Sequence, residues 1–537
     1  MKSRYFGPLT CGVLVSVLVV STSDAEVEYD GSINSSGFVP GPNYIIDSSF
    51  GQQSGRNLFH SFRNFNIGMG ENAKFVGSSD ISNIFARVTS GNSSVINGLV
   101  ASDIDGASLW VINPKGIIFG QGAALDISGS FYATTANSLR FEDGYFDSVP
   151  GDSVALPSGA PLRIEMLNNT LASIHINNSN LQNEQGNGIH FISNNVSLLN
   201  TQLDADQITL GSAGHIEDIS IEYSGEQDAI SRLTMIDSSM VSHSNLQMNS
   251  VHIVLDSVHI NAGGNLKTIS ESLTIRNSEF LVENAVDNID LSSTSTSFEN
   301  VVLESINPRG DANIEIHSDV VSLSETSLRS YASQDVKGSD INIAARVIML
   351  SGGELTTESD GSGVSGDISL DAKQELHING TELRTRGVGL KGGYIHISAE
   401  GQLNLQEEAF ITEYPQTSSQ QVTRIQIGNA TEEVNHALDA AIEPEANPQI
   451  ANNQTPGNEE GREGIPETGR DQLLYAETPV VESKSMENII GCRADGVVNT
   501  IGNNRLNNNV STWRYPMGRY VSFSTFQGES KSERGCR

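Results

Sequence analysis

Ile314-Glu-Ile316-His-Ser-Asp-Val-Val321-Ser-Leu323-Ser-Glu-Thr-Ser-Leu328-Arg-Ser330 alternates apolar with polar residues, breaks, and resumes. Twenty-seven residues on come Ile341, Ile343, Ile348, Leu350, Leu355 and Thr357. Ile368, Leu370, Leu376, Ile378, Leu383 and Thr385 follow, then Ile395, Ile397, Leu403, Leu405, Phe410 and Thr412. Two alternating apolar pairs and a third apolar position recur in every unit. The same offsets appear upstream at Ile189, Phe191, Val196, Leu198, Leu203 and at Leu266, Thr268, Leu273, Ile275, Phe280. Period-two alternation in runs this short means strand rather than helix. Three short strands per unit, joined by turns rich in Gly, Asn, Ser and Asp, describe one coil of a parallel β-solenoid, with coils stacked about 4.8 Å apart. The repeated Ile and Leu then form inward ladders, while a variable stretch such as Arg386–Gly392 protrudes. A sandwich or barrel would alternate too, but has no reason to repeat at so long and regular a period. The solenoid is expected from residue 27 to residue 413, in coils of about 20 to 27 residues.

The 537 residues carry 65 Asp or Glu against 31 Lys or Arg, a net charge of −34 with only 18% charged residues. An acidic balance argues against nucleic acid or an anionic membrane surface as partner, because both reward basic patches. At 37% hydrophobic the chain can bury a long core, and 51 glycines serve its turns.

At the amino terminus, Lys2 and Arg4 precede an apolar stretch from Leu9 to Val20, and Ser23-Asp24-Ala25 supplies the small residues a signal peptidase reads. Residues 1–25 are therefore expected to be a cleaved signal peptide. The run is too short for a membrane anchor, and no later segment looks membrane-spanning. Cleavage removes two of 31 basic and one of 65 acidic residues, taking the net charge from −34 to −35. It also removes Cys11, leaving Cys492 and Cys536. In an exported protein that pair reads as one disulfide closing a carboxy-terminal loop, or as two thiols available for intermolecular bonding. Neither has Cys or His neighbours at metal-ligand spacing.

After residue 413 the character changes. Residues 414–485 hold Pro415, Pro444, Pro448, Pro456, Pro466 and Pro479 amid Gln, Asn, Glu and Gly, and read as a disordered linker. Val434, Leu438 and Ile442 allow a short helix around Glu432 to Ile442. Residues 486–537 regain apolar and aromatic residues around the two cysteines and read as a small tail.

The densest signal lies near the start. Asn57-Leu-Phe-His-Ser-Phe62-Arg-Asn-Phe65-Asn66 sets three phenylalanines three apart. Asn83-Ile84, Arg87-Val-Thr89-Ser-Gly91, Leu109-Trp-Val-Ile-Asn113-Pro114-Lys115-Gly116-Ile117 and Gly129-Ser-Phe131-Tyr-Ala-Thr-Thr135 follow in order. Residues 30–145 resemble the haemagglutination-activity, or two-partner-secretion (TPS), domain of filamentous-haemagglutinin-like exoproteins of the TpsA type. The resemblance implies a domain over residues 26–150 that forms the capped first coils of a right-handed parallel β-helix, with residues 151–413 as its shaft. It further implies recognition in the periplasm by an outer-membrane transporter of the TpsB/Omp85 type, passage unfolded, and folding outside the cell. Asn113, Pro114, Gly116 and Ile117 match the family's Asn-Pro-Asn-Gly-Ile motif, with Lys115 in place of the second Asn. The family's Asn-Pro-Asn-Leu motif is missing, and Phe65-Asn66-Ile67 stands near its place. Asn57, Phe62, Phe65, Asn66, Asn113, Pro114, Gly116 and Ile117 are the secretion-motif residues this implies.

Other features are weaker. Arg309-Gly310-Asp311 is an adhesion tripeptide that arises easily in so Gly- and Asp-rich a chain. His252, Asp256 and His259 read as solvent-facing strand positions rather than metal ligands, and Asp103 and Asp105 as a solvated turn rather than a calcium site. Parallel β-helices also include polysaccharide lyases and hydrolases, but that chemistry needs clustered carboxylates, and none recurs at matching offsets here. A toxin-delivery exoprotein is a further class, for which the small tail leaves little room. The expectation is a non-enzymatic, cofactor-free exoprotein of a Gram-negative-type cell surface, an adhesin meeting a cell, glycan or matrix receptor.

Overall fold

The computed structural model describes residues 26–406 except 152–154, 168–171, 184–185, 213, 217–218, 225–230, 287, 308–311, 333–336, 361–362 and 388–391. Beyond 406 it describes only strands at 410–413, 422–427, 430–435, 489–494, 497–502, 511–514 and 520–523. The expected signal peptide, residues 1–25, lies outside the described residues. Among those described the architecture is all-β, with one 3-10 turn at Ser48–Phe50.

The repeat is a parallel β-helix whose coils each present three strand faces. On the first face, parallel register links Leu58, Ile84, Leu109, Phe131, Ile189, Ile208, Leu246 and Leu266 into one ladder. It continues through Ile289, Ile314, Ile341, Ile368 and Ile395, every member buried. The second face stacks Ile117, Ile174, Val196, Leu233, Ile253 and Leu273, and later Val321, Ile348, Leu376 and Leu403. The third stacks Leu181, Leu203, Met240, Ile260, Phe280, Leu303, Leu328, Leu355 and Leu383. The even repeat holds only from Ile314 to Ile395, and the coil from Ile189 to Ile208 is shorter. Coils of unequal length stack because only the inward residues and the backbone ladder must coincide. Where the third distal unit has one residue more than the second, a bulge between Ala345 and Val347 absorbs it.

Two side-chain devices hold the corners. Asn178, Asn200, Asn277 and Asn300 take left-handed φ of 48–54° at one corner, a conformation Asn tolerates. The next residue is often a buried Ser or Thr, and the Thr201 hydroxyl donates to the Leu199 carbonyl at 3.1 Å. At the entry to the first face, Asn313 Oδ1 accepts the Asp340 N–H at 2.8 Å. Asp340 Oδ1 accepts that of Asp367, and Asp367 Oδ1 that of Tyr394, both at 2.7 Å. Each coil thus carries the acceptor for the next.

The first coil is capped. Glu26–Asp30 runs antiparallel to Asn57–Asn66 and pairs on its other edge with Ser36–Phe38. At the far end, Val422–Ile427 adds a rung on Ile395–Ala399 and turns back through Ala430–Asn435. The ladder therefore enters the stretch read as linker, and residues 432–435 are strand where the sequence allowed a helix. The β-branched Val422, Ile425 and Ile427 suit a strand, and the open edge at Ile395–Ala399 offers it hydrogen bonds. The remaining linker lies outside the described residues. The tail contributes hairpins at Ile489–Ala494 with Val497–Gly502 and at Ser511–Arg514 with Tyr520–Phe523.

One element has no counterpart in the sequence reading. Between Phe131 and Ile189, and again between Ile208 and Leu246, the coil is interrupted by insertions. They supply a lateral sheet in the order Gly144–Asp147, Ser138–Phe141, Pro161–Leu167, Ile219–Ser224, Gly214–Ile216. This sheet covers the outside of the first face. There an outward ladder of Phe59, Phe85, Trp110, Tyr132 and His190 is buried beneath Leu139, Phe141, Phe146, Ile164 and Met166 as a second core. Trp110 stacks on Tyr132 with centroids 3.7 Å apart.

Candidate secretion site

Asn113 follows strand Ser108–Ile112 at the corner between the first and second faces. It is wholly buried. Its Nδ2 donates to the Asn92 carbonyl at 3.1 Å and to Ser94 Oγ at 3.0 Å, and its Oδ1 accepts the Lys115 N–H at 2.9 Å. Its carbonyl accepts the Gly116 N–H at 3.0 Å, closing a turn whose second residue, Pro114, presets φ. Gly116 has φ +114°, and a Cβ there would lie 2.9 Å from the Ser173 carbonyl of the following coil. Only glycine fits that corner. Ile117 then enters the inward ladder between Ser94 and Ile174. Lys115 is exposed, so the residue that departs from the family pattern points away from the corner.

Asn57 opens the first coil and is also buried. Its Nδ2 donates to the Gly159 carbonyl at 2.7 Å, and its Oδ1 accepts from Asn83 Nδ2 at 3.1 Å. It thus ties the first two coils to the loop leading into the lateral sheet. Phe62 and Phe65 pack inward under the cap, Phe62 stacked on Tyr29 at 4.9 Å. Asn66 Oδ1 accepts the Val95 N–H at 2.9 Å. The eight motif residues do not converge on one patch. They lie in the first and third coils, and six of them, Asn57, Phe62, Phe65, Asn113, Gly116 and Ile117, are buried.

The polar cluster beside them is missed by the sequence reading. Asp30 accepts from the Ser32 N–H and hydroxyl, both at 2.8 Å, from Ser61 Oγ at 2.7 Å and from Thr89 Oγ1 at 2.8 Å. Burial raises its pKa, but these hydrogen bonds outweigh it and hold the carboxyl below the usual range. Arg87 is 6% exposed. It donates to Ser61 Oγ at 2.8 Å, Ser32 Oγ at 2.9 Å and the Asp147 carbonyl at 2.8 Å, with its guanidinium 4.8 Å from the Phe146 ring centroid. The one available signal is an arginine in a strand that is otherwise buried. His60 points inward at a ladder position, and neither ring nitrogen has a hydrogen-bond partner. Burial, against a small opposing effect of Asp47, pushes its pKa down to about 3. Burial does the same to His190.

The remaining candidates stay apart. His252 begins a strand that Asp256 ends, where Asp256 accepts from Asn277 at 3.1 Å, and exposed His259 lies on the next face beside Glu279. Asp103 pairs with Lys74 at 2.8 Å, and Asp105 is exposed. Among the described residues no group of three or more His, Cys, Asp or Glu is arranged to hold a metal, and no helix is long and apolar enough to cross a membrane. Arg309, Gly310 and Asp311, and the side chains of Cys492 and Cys536, lie outside the described residues.

Six of the eight motif residues are thus buried in a capped β-helix with a lateral sheet over its first coils. Residues 25–268 match the family model of the TPS secretion domain, which supports reading the chain as a two-partner-secretion exoprotein of the TpsA type. Such a domain implies an outer-membrane TpsB transporter as partner and secretion across the outer membrane. The match runs past residue 145, where the sequence resemblance stops, and takes in the lateral sheet. The crystal structure of the HMW1 secretion domain from Haemophilus influenzae is similar over 70% of this chain and 95% of that one, at 16% identity and a TM-score of 0.34. No curated protein matches the chain.

Proposed function

We propose that a TpsB/Omp85-type transporter reads the amino-terminal segment while it is extended, that the chain crosses the outer membrane amino terminus first, and that coil formation outside prevents its return. The observation that carries this reading is the burial of the motif residues. Asn57, Phe62, Phe65, Asn113, Gly116 and Ile117 are accessible to a transporter only before the domain folds. Once folded, the same residues hold the cap and the first corner. Burying a large apolar side chain is worth roughly 1.5–3 kcal/mol before ordering costs. A coil carries about five, such as Ile314, Ile316, Val321, Leu323 and Leu328. Each finished coil therefore opposes backward sliding.

Outside the cell the non-enzymatic shaft presents its outward positions and protruding turns to a cell, glycan or matrix receptor, as an adhesin does. Deleting the cognate transporter gene is the decisive experiment. The chain should then accumulate in the periplasm, and its undiminished appearance outside would reject the export reading. A glycan array probed with the secreted product tests the adhesive role.

A further inference from the structure

We infer that Arg87 is a positioning residue that latches the amino-terminal cap to the lateral sheet, so that the secretion domain locks only when both have formed. The inference rests on the export reading above, because it concerns what makes folding outside irreversible. Three segments that leave a pore at different times meet at this side chain. The cap supplies Asp30 and Ser32, the first coil supplies Ser61, and the edge strand Gly144–Asp147 supplies the Asp147 carbonyl and the Phe146 ring.

The guanidinium reaches the Asp30 carboxylate through two serine hydroxyls. Ser61 Oγ accepts from Arg87 Nε at 2.8 Å and donates to Asp30 at 2.7 Å, and Ser32 Oγ accepts from Arg87 at 2.9 Å and donates to Asp30 at 2.8 Å. Every link is within hydrogen-bond range, and the cation is almost fully withdrawn from water. A buried charge is tolerable only when paired and hydrogen-bonded. Arg87 therefore cannot stay in place with the cap alone or with the lateral sheet alone. The cap leaves its Asp147 and Phe146 side uncovered, and the sheet, which adds the favourable field of Asp147, leaves it without Asp30 and without the Ser32 hydroxyl as acceptor. That mutual requirement makes closure all-or-none. The outward ladder needs such a device, since Phe59, Phe85, Trp110 and Tyr132 emerge before the strands that cover them.

The test uses the full chain, co-expressed with its transporter and also refolded after purification, as wild type, Arg87→Met, Arg87→Met/Asp30→Asn and Ser61→Ala. Subtilisin cleavage is mapped in the cap around Phe38 and in the loop from Ala155 to Ala160. Arg87→Met should raise cleavage at both places together by at least tenfold and lower the surface fraction at least fivefold. Adding Asp30→Asn, which removes the stranded carboxylate, should bring both readouts back to within about threefold of wild type. Ser61→Ala, a mild change that keeps the fold, should raise cleavage at both places in parallel by a few fold.

Wild-type protection in Arg87→Met overturns the latch. So does a rise at only one of the two places in Ser61→Ala, or a loss in Arg87→Met that Asp30→Asn leaves uncorrected, since that would mean Arg87 is read directly by the transporter. Escape of wild-type chain from a strain lacking the transporter would instead defeat the export reading, and cleavage of the refolded chain would still decide the latch.

Discussion

Trp110 and His396 occupy the same outward ladder of the same face, yet their surroundings have nothing in common. From Phe59 to His190 that ladder is aromatic and sealed by the lateral sheet. From Thr209 through Lys267, Asp290, Glu315, Asn342 and Ser369 to His396 it is polar. Inward, the two regions are built alike, by stacked Ile and Leu. The difference teaches that a β-helix needs only its inner ladders to grow, whereas its first coils have been given a second core that makes them a cooperative unit. A distal coil is held by its neighbours. A proximal coil is also held by strands far away in sequence, since Trp110 shares its core with Ile164, Met166 and Ile221 of the lateral sheet.

The comparison breaks most readily at Trp110. Trp110→Ala should cost about 3–5 kcal/mol in denaturant unfolding of the refolded chain. His396→Ala on the same ladder should stay within about 0.5 kcal/mol. Equal costs would mean that the lateral sheet contributes no second core.

Acidification should act next, and on the proximal region. His60 and His190 have folded-state pKa values pushed by burial to about 3, below the value of about 6.5 expected unfolded. Below pH 6.5 the unfolded chain binds protons that the folded chain refuses. The stability these residues contribute is thus whole above pH 6.5 and is lost as pH falls toward 3, by about 1.4 kcal/mol per histidine per pH unit. Amide protection factors at Leu58–Phe62 and Ile189–Ile192, corrected for the intrinsic exchange rate at each pH, should fall between pH 6.5 and 4.5. A His60→Leu/His190→Thr variant should flatten that slope, and an unchanged slope would remove these histidines from the account.

Two corner asparagines sharpen the contrast at smaller scale. Asn113→Ala removes a buried amide and strands the Lys115 N–H and the Asn92 carbonyl, a loss of about 2 kcal/mol. It should also leave more of the chain in the periplasm. Asn200 is exposed, with one side-chain bond to Asn178 at 2.8 Å and φ of 49°. Asn200→Ala should cost about 1 kcal/mol, through the left-handed backbone alone, and leave the surface fraction unchanged.

The inner ladders are legible because alternation records which side chain faces the core, and every coil repeats the record. Asn113 and Gly116 are legible as a corner from Pro and Gly chemistry. The acceptor column of Asn313, Asp340 and Asp367 is equally present, one residue before each ladder Ile, but polar residues before a strand read as an ordinary turn. Arg87 and Asp30 leave no such trace. Their pairing runs through two serines, and no spacing in the chain announces a contact between residues so far apart.

By itself, then, the sequence determined the β-helix, its inward residues and the family of its first coils, because those follow from local alternation and from residues with restricted backbones. Only the tertiary structure decided that six of the eight motif residues are buried, that the outward aromatic ladder is covered, and that one cation joins cap to sheet. Those facts depend on strands from two distant insertions packing on one face, and such packing is fixed by shape and desolvation in space rather than by any period along the chain.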